Sequence, residues 1–384
     1  MTERLRVLLV QRELAPPGGA AGVAAWMVEA LKPDHAVTLL TWRAPDLAAL
    51  NRFFGTTIGP GDLAVALPPA PVRALVGAIP APTYLLRLTM LLRLAKRRAR
   101  DFDVLLTGDN EADFGPRGVQ YINYPWDLLP RPALEVRWYH WWAAVTAYRE
   151  LCIRLADFSE ARMRATPALV SSDYVGRLVD RRYGVVPRTL YPPVMGSFPA
   201  VEWERRDREF LCVGRIAPDK QLDRVIDVLA RVRAELPDTR LRIVGTPEGA
   251  YAERIAARAR AEGGWVSIES GLSRDALASR MARHRYGIHG HLNEHYGLVV
   301  AEMLHAGCIV WVPNDGGQVE IVGDRRLCYD TVEGAAASIV ATLRDAGREA
   351  ELRRHLAAQA GRFSTATFVH EFRAVIAAAA RSGG

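Results

Sequence analysis

The chain has 384 residues, of which 49% are hydrophobic and 24% are charged, so collagen-like and wholly disordered proteins are excluded. The net charge of +7 would suit nucleic acid or anionic lipid, but no nucleic-acid-binding motif is present, and we expect no nucleic-acid partner. No apolar stretch reaches the roughly 18 residues of a membrane span, and no signal peptide is evident. We therefore expect a cytoplasmic protein of about two domains.

Short apolar runs alternate with helical periodicity in the first half of the chain. The predicted strands are 5–10, 36–42, 103–107, 119–123 and 168–172. Helices are predicted up to Leu31 and over 84–100, 134–165 and 173–183. Residues 60–82 carry six prolines, which predicts an irregular segment.

The alternation restarts after a linker at 191–209, which mixes prolines, glycine and charges. The predicted strands are then 210–214, 241–245, 265–269, 286–290, 308–312 and 327–330. Helices are predicted at 219–235, 250–262, 273–283 and 298–307, and over most of the remainder to about residue 380.

Two successive blocks of alternating strand and helix predict an α/β protein with two parallel sheets, each covered by helices. Right-handed crossovers make each block Rossmann-like. Ligands of such sheets bind outside the carboxyl ends of the strands, and two domains would place a cleft there. Chemistry is therefore expected in the loops that follow strands.

The first such loop is GRIAPDK at 214–220. Arg215 and Lys220 bracket a predicted helix start, with Asp219 as its N-cap. Two cations beside free helix amides make a site for a diphosphate. The alternative is a pair of solvated surface cations. Only three of the 50 basic residues are lysines, so the lysine at position 220 favours a functional role over that of a solvated surface residue.

A second segment, at 289–307, contains Glu294 and Glu302, with Gly297 at the start of the predicted helix. Carboxylates accept hydrogen bonds from hydroxyls, which suits a sugar and a ribose. The amides of Gly297 and Leu298 could meet a phosphate. The alternative is a capping glutamate and a surface glutamate.

The glycine loop PPGGAAG at 16–22 follows the first strand and opens the first helix. Gly18 and Gly19 could cradle a phosphate or form only a tight turn. The loop is not GxGxxG, and no acidic residue ends the second strand, so a nicotinamide site is disfavoured.

The other reactive side chains do not form a recognised pattern. His289, His291, His295 and His305 have no HExxH spacing, so we expect no metal site. The cysteines lie in apolar runs without CxxC spacing, and no GxSxG is present, which argues against a zinc ribbon, a disulfide scaffold and a catalytic nucleophile.

Together these segments resemble the retaining glycosyltransferases of family 4, which have the GT-B fold of two Rossmann-like domains with parallel sheets facing across a cleft. The resemblance rests on GRIAPDK, the two glutamates, the segment at 296–322 and TLYPPV at 189–194, and it is looser before residue 170. YINYP at 121–125 and TLYPPV also resemble the α-1,2-mannosyltransferase branch, which slightly favours a mannosyl donor.

The resemblance implies a role for each residue of the donor site. Arg215 and Lys220 would bind the donor diphosphate, and Glu302 the ribose hydroxyls. Glu294 would hold a sugar hydroxyl near the anomeric carbon, and Glu294, Arg215 and Lys220 are the expected catalytic residues. The phosphate site would be completed by the amides of Gly297, Leu298 and Val299.

The resemblance also assigns residues of the first domain. Gly18 and Gly19 would lie near the diphosphate or acceptor. Asn123 stands where the family often has a histidine that contacts the donor sugar, so this position keeps a donor and an acceptor but loses a positive charge.

The implied architecture has three parts. Residues 1–192 would bind the acceptor, residues 193–364 would bind the nucleotide sugar, and residues 365–384 would return to the first domain as a helix. The implied reaction is transfer with retention, without a metal or another cofactor. The alternatives are a GT-B sugar phosphorylase or synthase and a non-catalytic sugar-nucleotide-binding module.

Two features of the first domain have more than one interpretation. The basic amphipathic stretch 84–100 could contact the inner membrane face peripherally or, as we favour, pack on the sheet as an ordinary helix. Four tryptophans could stack on a sugar or nucleobase or fill a core: Trp126, Trp138, Trp141 and Trp142.

Overall fold

The structure is a computed structural model that describes residues 4–79, 83–125 and 143–381. The chain divides into two units. One consists of Met1–Met195 together with Thr365–Gly384, and the other is Gly196–Ser364.

The first unit is built on a seven-stranded sheet in which every neighbouring pair of strands is parallel. The strand order is β3-β2-β1-β4-β5-β6-β7. The strands are β1 (Arg6–Val10), β2 (Ala36–Leu40), β3 (Leu63–Ala66), β4 (Val104–Thr107), β5 (Gly118–Ile122), β6 (Ala168–Val170) and β7 (Arg188–Thr189). The helices are α1 (Gly19–Leu31), α2 (Leu47–Phe54), α3 (Ala70–Gly77), α4 (Tyr84–Arg97), α5 (Ala143–Ala156), α6 (Glu160–Arg164) and α7 (Asp173–Tyr183).

The second unit repeats the design with a six-stranded parallel sheet in the order β10-β9-β8-β11-β12-β13. The strands are β8 (Asp207–Val213), β9 (Leu241–Val244), β10 (Val266–Glu269), β11 (His284–Ile288), β12 (Ile309–Pro313) and β13 (Cys328–Tyr329). The helices are α8 (Leu222–Glu235), α9 (Gly249–Ala261), α10 (Arg274–Arg283), α11 (Leu298–His305), α12 (Gln318–Val322), α13 (Val332–Leu343) and α14 (Ala346–Ala360).

The last helix, α15 (Thr365–Arg381), belongs to the first unit, where it packs on α1. Arg373 donates from Nε to the carbonyl oxygen of Ala30 at 2.7 Å and forms an ion pair with Asp34 at 2.9 Å. The apolar side of α15 is buried through Phe368 and Phe372. The helix is therefore attached by both apolar packing and hydrogen bonds.

The prediction that residues 60–82 are irregular is wrong over much of this segment. β3 pairs with β2 at the edge of the sheet, and of its four residues only Leu63 is buried. An edge strand of this kind lacks the continuous apolar run that marks a central parallel strand. Helix α3 follows, with Pro71 in its first turn, where the missing N–H has no intrahelical partner to lose.

The predicted helix at 134–165 falls partly on residues outside those described. From residue 143 the segment forms α5 and α6. The four tryptophans at 126–142 also lie outside the described residues, so their role stays a prediction.

Helix α4 covers most of the predicted amphipathic stretch 84–100. Leu88, Leu91 and Leu92 are buried in a core cluster with residues of β1 and β2. Lys96 is turned towards protein and pairs with Asp113 at 2.8 Å. This packing is the interpretation favoured above, and peripheral membrane contact stays a prediction. Among the described helices, none combines the length and apolar composition needed to cross a bilayer.

Candidate functional site

The loop at 214–220 leaves β8 at the carboxyl edge of the second sheet. Gly214 has φ 153°, a conformation that favours glycine. Gly245, which follows β9, packs so closely that a Cβ there would lie 1.7 Å from the carbonyl oxygen of Gly214. Two loops after neighbouring strands are thus held in contact, and this contact positions the cations.

The prediction that Asp219 caps the following helix is wrong. Pro218–Lys220 forms one turn of 3-10 helix, and α8 begins at Leu222, with Gln221 as its N-cap in the left-handed region at φ 45°. The Asp219 carboxylate instead accepts a hydrogen bond from Arg215 at 3.1 Å and lies 3.8 Å from the Lys220 ammonium. It therefore links the two cations of the loop.

The two predicted cations differ in their surroundings. The Arg215 side chain is 53% exposed and donates to Glu248 at 2.9 Å as well as to Asp219. The Lys220 side chain is 17% exposed and reaches the segment that follows β11. Its Nζ lies 3.2 Å from Glu294 Oε2 and 2.9 Å from His291 Nδ1. Arg215 is thus accessible, whereas Lys220 is part of a closed group of charges.

Glu294 is the centre of that group. Its Oε2 lies 2.6 Å from His291 Nδ1 and 3.4 Å from His289 Nε2, besides the Lys220 contact. Burial works to raise the pKa of Glu294, but hydrogen bonds from the two histidines and the charge of Lys220 together hold it well below its usual value. Glu294 is therefore a carboxylate at neutral pH. Burial lowers the pKa of His289, against the opposing effect of Glu294, so His289 is neutral there.

The segment carrying Glu294 is held by residues that follow β12. Gln318 donates from Nε2 to the carbonyl oxygen of His291 at 2.8 Å. The Gly317 amide donates to the carbonyl oxygen of Glu294 at 2.8 Å. Gly316 has φ 81°, and a Cβ there would lie 2.3 Å from the same carbonyl oxygen. The glycine pair therefore permits a backbone contact that fixes Glu294.

Gly297 is the N-cap of α11 and has φ 103°. A Cβ at this position would lie 3.1 Å from Cβ of Gln318, so both conformation and space favour glycine. The first backbone bond of the helix runs from Ala301 N–H to Gly297 C=O. The amides of Leu298 and Val299 precede it and have no partner within the helix.

Glu302 lies one turn into α11, and its side chain is 4% exposed. Arg274, at the start of α10, donates to its Oε1 at 2.5 Å. Burial raises the pKa of Glu302 by more than Arg274 lowers it. Among the described residues, Oε2 of Glu302 has no hydrogen-bond partner, so one carboxylate oxygen is held and the other is available.

The remaining predicted residues belong to the first unit. Gly18 is the N-cap of α1, without a side-chain cap, and Gly19 is the first residue of that helix, so this glycine loop does open a helix after β1. Asn123 follows β5 and donates from Nδ2 to the carbonyl oxygen of Gly108 at 3.0 Å. The backbone amide of Asn123 donates to Asn110 Oδ1 at 2.9 Å. All three residues thus lie at the carboxyl edge of the first sheet.

His289, His291 and Glu294 each offer a ligand atom, and these atoms lie within 4.8 Å of one another. A divalent ion placed among them would meet the Lys220 ammonium, which already contacts both His291 and Glu294. The residues present therefore suit a protonated amine better than a metal. The expectation of a metal-free site stays a prediction.

The second unit also contains a cavity of about 480 Å³, lined in part by Trp203, Arg206 and Cys308. Arg206 precedes β8 and Cys308 precedes β12, so this cavity lies at the amino edge of the sheet. It is separate from the 214–220 loop, and volume alone does not identify the candidate site.

Sequence reasoning missed several partners in the site. It treated His291 only as a metal-ligand candidate, and it assigned nothing to Arg274 or Gln318. The HGHLNE segment could have indicated His291, because it follows a predicted strand within four residues of Glu294. No local pattern marks Arg274, which lies 28 residues before Glu302.

Comparison with protein families matches residues 197–363 to the family described as glycosyl transferases group 1. This segment corresponds to the second unit, which contains Arg215, Lys220, Glu294 and Glu302. No curated protein matches the sequence of the chain.

Solved structures share the fold over nearly the whole chain. HepE from Anabaena in complex with UDP is 13% identical, with a TM-score of 0.67 over 97% of this chain and 100% of that one. Sucrose-phosphate synthase from Thermosynechococcus elongatus is 16% identical, with a TM-score of 0.64 over 97% and 98%. WaaG, a glycosyltransferase involved in lipopolysaccharide biosynthesis, is 16% identical, with a TM-score of 0.59 over 96% and 99%. At these identities the likeness establishes the fold, and the predicted GT-B class is confirmed.

Proposed function

We propose that this protein is a retaining glycosyltransferase that moves a sugar from a nucleotide-diphosphate sugar to a hydroxyl acceptor. The observation that carries the proposal is the group formed by Lys220, His291 and Glu294 at the carboxyl edge of the second sheet. It sets an ammonium beside an ionised carboxylate, inside the segment that matches glycosyl transferases group 1. The ammonium suits a leaving diphosphate, and the carboxylate suits sugar hydroxyls.

The donor diphosphate is assigned to Arg215, Lys220 and the first amides of α11. Arg215 can exchange its carboxylate partners for a phosphate at little cost, because exposed ion pairs contribute about 0–1 kcal/mol. The positive end of the helix dipole adds to the cations. The contributing amides are those of Gly297, Leu298 and Val299.

The ribose is assigned to Glu302. Arg274 holds one carboxylate oxygen and so orients the group, while the other oxygen can accept hydrogen bonds from ribose hydroxyls. Glu294 is assigned to a hydroxyl of the donor sugar. In the first unit, Asn123 is assigned to the donor sugar, and Gly18 and Gly19 to the diphosphate or acceptor.

The proposed reaction breaks the bond between the anomeric carbon and the diphosphate oxygen, through an oxocarbenium-like state. Arg215, Lys220 and the helix amides stabilise the charge that develops on the diphosphate. The acceptor hydroxyl attacks from the face that the diphosphate leaves, and a phosphate oxygen takes its proton. The configuration is retained, and neither a nucleophilic carboxylate nor a metal is required, unlike hydrolases that use a close carboxylate pair.

For the donor sugar we propose mannose first. YINYP and TLYPPV resemble the mannosyltransferase branch, and each segment begins at the carboxyl end of a strand of the first sheet. UDP-glucose is the rival donor, because HepE, which shares the fold, was solved in complex with it. A direct comparison of GDP-mannose and UDP-glucose as donors separates the two.

A sugar synthase or phosphorylase is the second candidate, since sucrose-phosphate synthase shares the fold. A phosphorylase would release a sugar phosphate when given glycan and inorganic phosphate. A nucleotide-sugar transferase would require the nucleotide sugar and would release a nucleoside diphosphate. Product analysis with each pair of substrates distinguishes the phosphorylase from the transferase, and a product formed on a free sugar acceptor identifies a synthase.

The function is tested with purified protein, a panel of nucleotide sugars and a panel of hydroxyl acceptors. We expect release of a nucleoside diphosphate from one donor, and a product whose anomeric configuration, read by NMR, matches that donor. Glu294→Gln should lower turnover, and circular dichroism checks that the variant is folded, because the substitution also breaks the ion pair with Lys220. An inverted product would refute retention, and no binding of any nucleotide or nucleotide sugar would refute the function.

A further inference from the structure

The first unit has a pocket of about 230 Å³ at the carboxyl edge of its own sheet. Arg12 and Glu13 follow β1, and Trp42 follows β2, so the pocket opens where ligands of parallel sheets bind. Its volume lies below the roughly 300–1,000 Å³ of pockets for drug-sized ligands. It therefore suits one small group better than a whole nucleotide.

Four arginines meet at this pocket, two from loops after strands and two from helices α3 and α4: Arg12, Arg43, Arg73 and Arg87. Arg12 is the one with an ionic partner, since its Nε lies 3.6 Å from the buried carboxylate of Asp109. Among the described residues, Arg43, Arg73 and Arg87 form no ion pair. Glu13 is the one carboxylate that lines the pocket, so positive charge dominates.

Other contacts hold these guanidinium groups in place. Arg12 lies over the ring of Tyr84 at 3.6 Å, and the Tyr84 hydroxyl donates to Asp109 at 3.1 Å. Arg87 lies 5.8 Å from the ring centroid of Trp42. Arg73 donates from Nε to the carbonyl oxygen of Pro68 at 3.1 Å. Arg12, Arg73 and Arg87 are thus held by neighbouring groups, and among the described residues no carboxylate pairs with Arg73 or Arg87.

The Arg87 guanidinium also has a donor that no described residue uses. Its Nε is buried and, in the described part of the chain, has no hydrogen-bond partner. A buried donor without a partner is unfavourable and is normally matched by protein, water or ligand. Guanidinium groups bind phosphates and carboxylates through paired, charge-assisted hydrogen bonds.

We propose that this pocket binds an anionic group of the acceptor, so that the acceptor is a hydroxylated compound carrying a phosphate or a carboxylate. The proposal rests on the proposed function, which supplies the need for an acceptor. The anion can belong to a free sugar phosphate or to a lipid headgroup, because both present the same charged oxygens to Arg73 and Arg87.

The test is calorimetric titration of the full chain with glucose 6-phosphate, glucuronate and glucose. The titrations contain saturating nucleoside diphosphate, so that the titrated anions cannot bind at the predicted anion site of the second unit. If no nucleotide binds, the titrations use the Lys220→Ala variant instead, in which that site is weakened. We expect glucose 6-phosphate or glucuronate to bind at least about tenfold more tightly than glucose, the effect of one charge-assisted hydrogen bond.

The variants Arg73→Gln and Arg87→Gln should each weaken that binding by about 10- to 100-fold. Arg97→Gln is the matched control, because Arg97 is exposed on the same helix as Arg87 but does not line the pocket. It should change the affinity less than about twofold. Circular dichroism and melting temperature check that each variant is folded.

A second arm measures binding to phosphatidylcholine vesicles with and without phosphatidylglycerol. If the protein binds only the anionic vesicles, and Arg87→Gln loses this binding, the pocket binds a lipid headgroup. If the protein binds the soluble anions, the pocket binds a free acceptor. Equal affinity for charged and neutral sugars, with vesicle binding insensitive to Arg87→Gln, overturns the proposal. Nucleotide affinity of Arg87→Gln should be unchanged, so failure here is distinct from failure of the proposed function.

Discussion

Replacing Lys220 by methionine removes the ammonium from the Glu294 group and keeps most of the apolar side chain. The Lys220 and Glu294 side chains are 17% and 18% exposed, and their charged atoms lie 3.2 Å apart. Exposed ion pairs contribute about 0–1 kcal/mol, and breaking a buried pair costs about 3–5 kcal/mol. This pair lies between those limits, so we expect Lys220→Met to lower the free energy of unfolding by about 2 kcal/mol.

The effect on function should be larger than the effect on stability. Loss of one charge-assisted hydrogen bond to a phosphate should weaken nucleoside diphosphate binding by about 10- to 100-fold. Turnover should fall by about a hundredfold or more, the range for losing one donor that stabilises transition-state charge. Isothermal titration calorimetry measures the first quantity, and nucleotide release under saturating donor measures the second.

Lys96→Met is the matched control. Lys96 pairs at 2.8 Å with Asp113, whose side chain is fully buried, so this variant should be at least as destabilised. It lies in the first unit, and its nucleotide affinity should remain that of the wild type. Equal nucleotide affinity and turnover in Lys220→Met and the wild type would show that Lys220 does not contact the diphosphate.

Three further predictions concern the same site. Arg215→Ala should lower turnover by about a hundredfold, with the melting temperature nearly unchanged because Arg215 is exposed; wild-type turnover would remove Arg215 from the diphosphate site. Activity should persist after treatment with a chelator, since cations and helix amides already supply positive charge; loss that magnesium or manganese restores would refute this. Because burial lowers the pKa of His289, the unfolded state takes up a proton first as pH falls below about 6.5, and stability should decrease from there by up to about 1.4 kcal/mol per pH unit for this group. In His289→Asn the denaturation midpoint should change less between pH 7 and pH 5 than it does in the wild type. An equal change in the two proteins would contradict the reasoning.

The central strands of both sheets were predictable from the sequence. Buried parallel strands such as β1 and β12 are continuous apolar runs, and this pattern depends on the residues themselves. β3 was not predictable, because only one of its residues is buried and its position is decided by pairing with β2. Local patterns thus indicate a strand only where both faces of the sheet are covered at that strand.

The chemistry of the candidate site was predictable in part. The spacing within 214–220 and between Glu294 and Glu302 indicated phosphate and hydroxyl binding, because those residues follow strands of one sheet. The same local reasoning assigned Asp219 to a helix cap, a role that the 3-10 turn before α8 removes.

The tertiary structure alone decided which charges meet. Lys220 and Glu294 are 74 residues apart in the chain, and Arg274 and Glu302 are 28 apart. They meet because β8 and β11 are neighbours in the sheet and α10 packs beside α11. Residue types and spacings determined that cations and carboxylates lie at strand ends, whereas strand order and helix packing determined their partners and, through burial and hydrogen bonding, their protonation states.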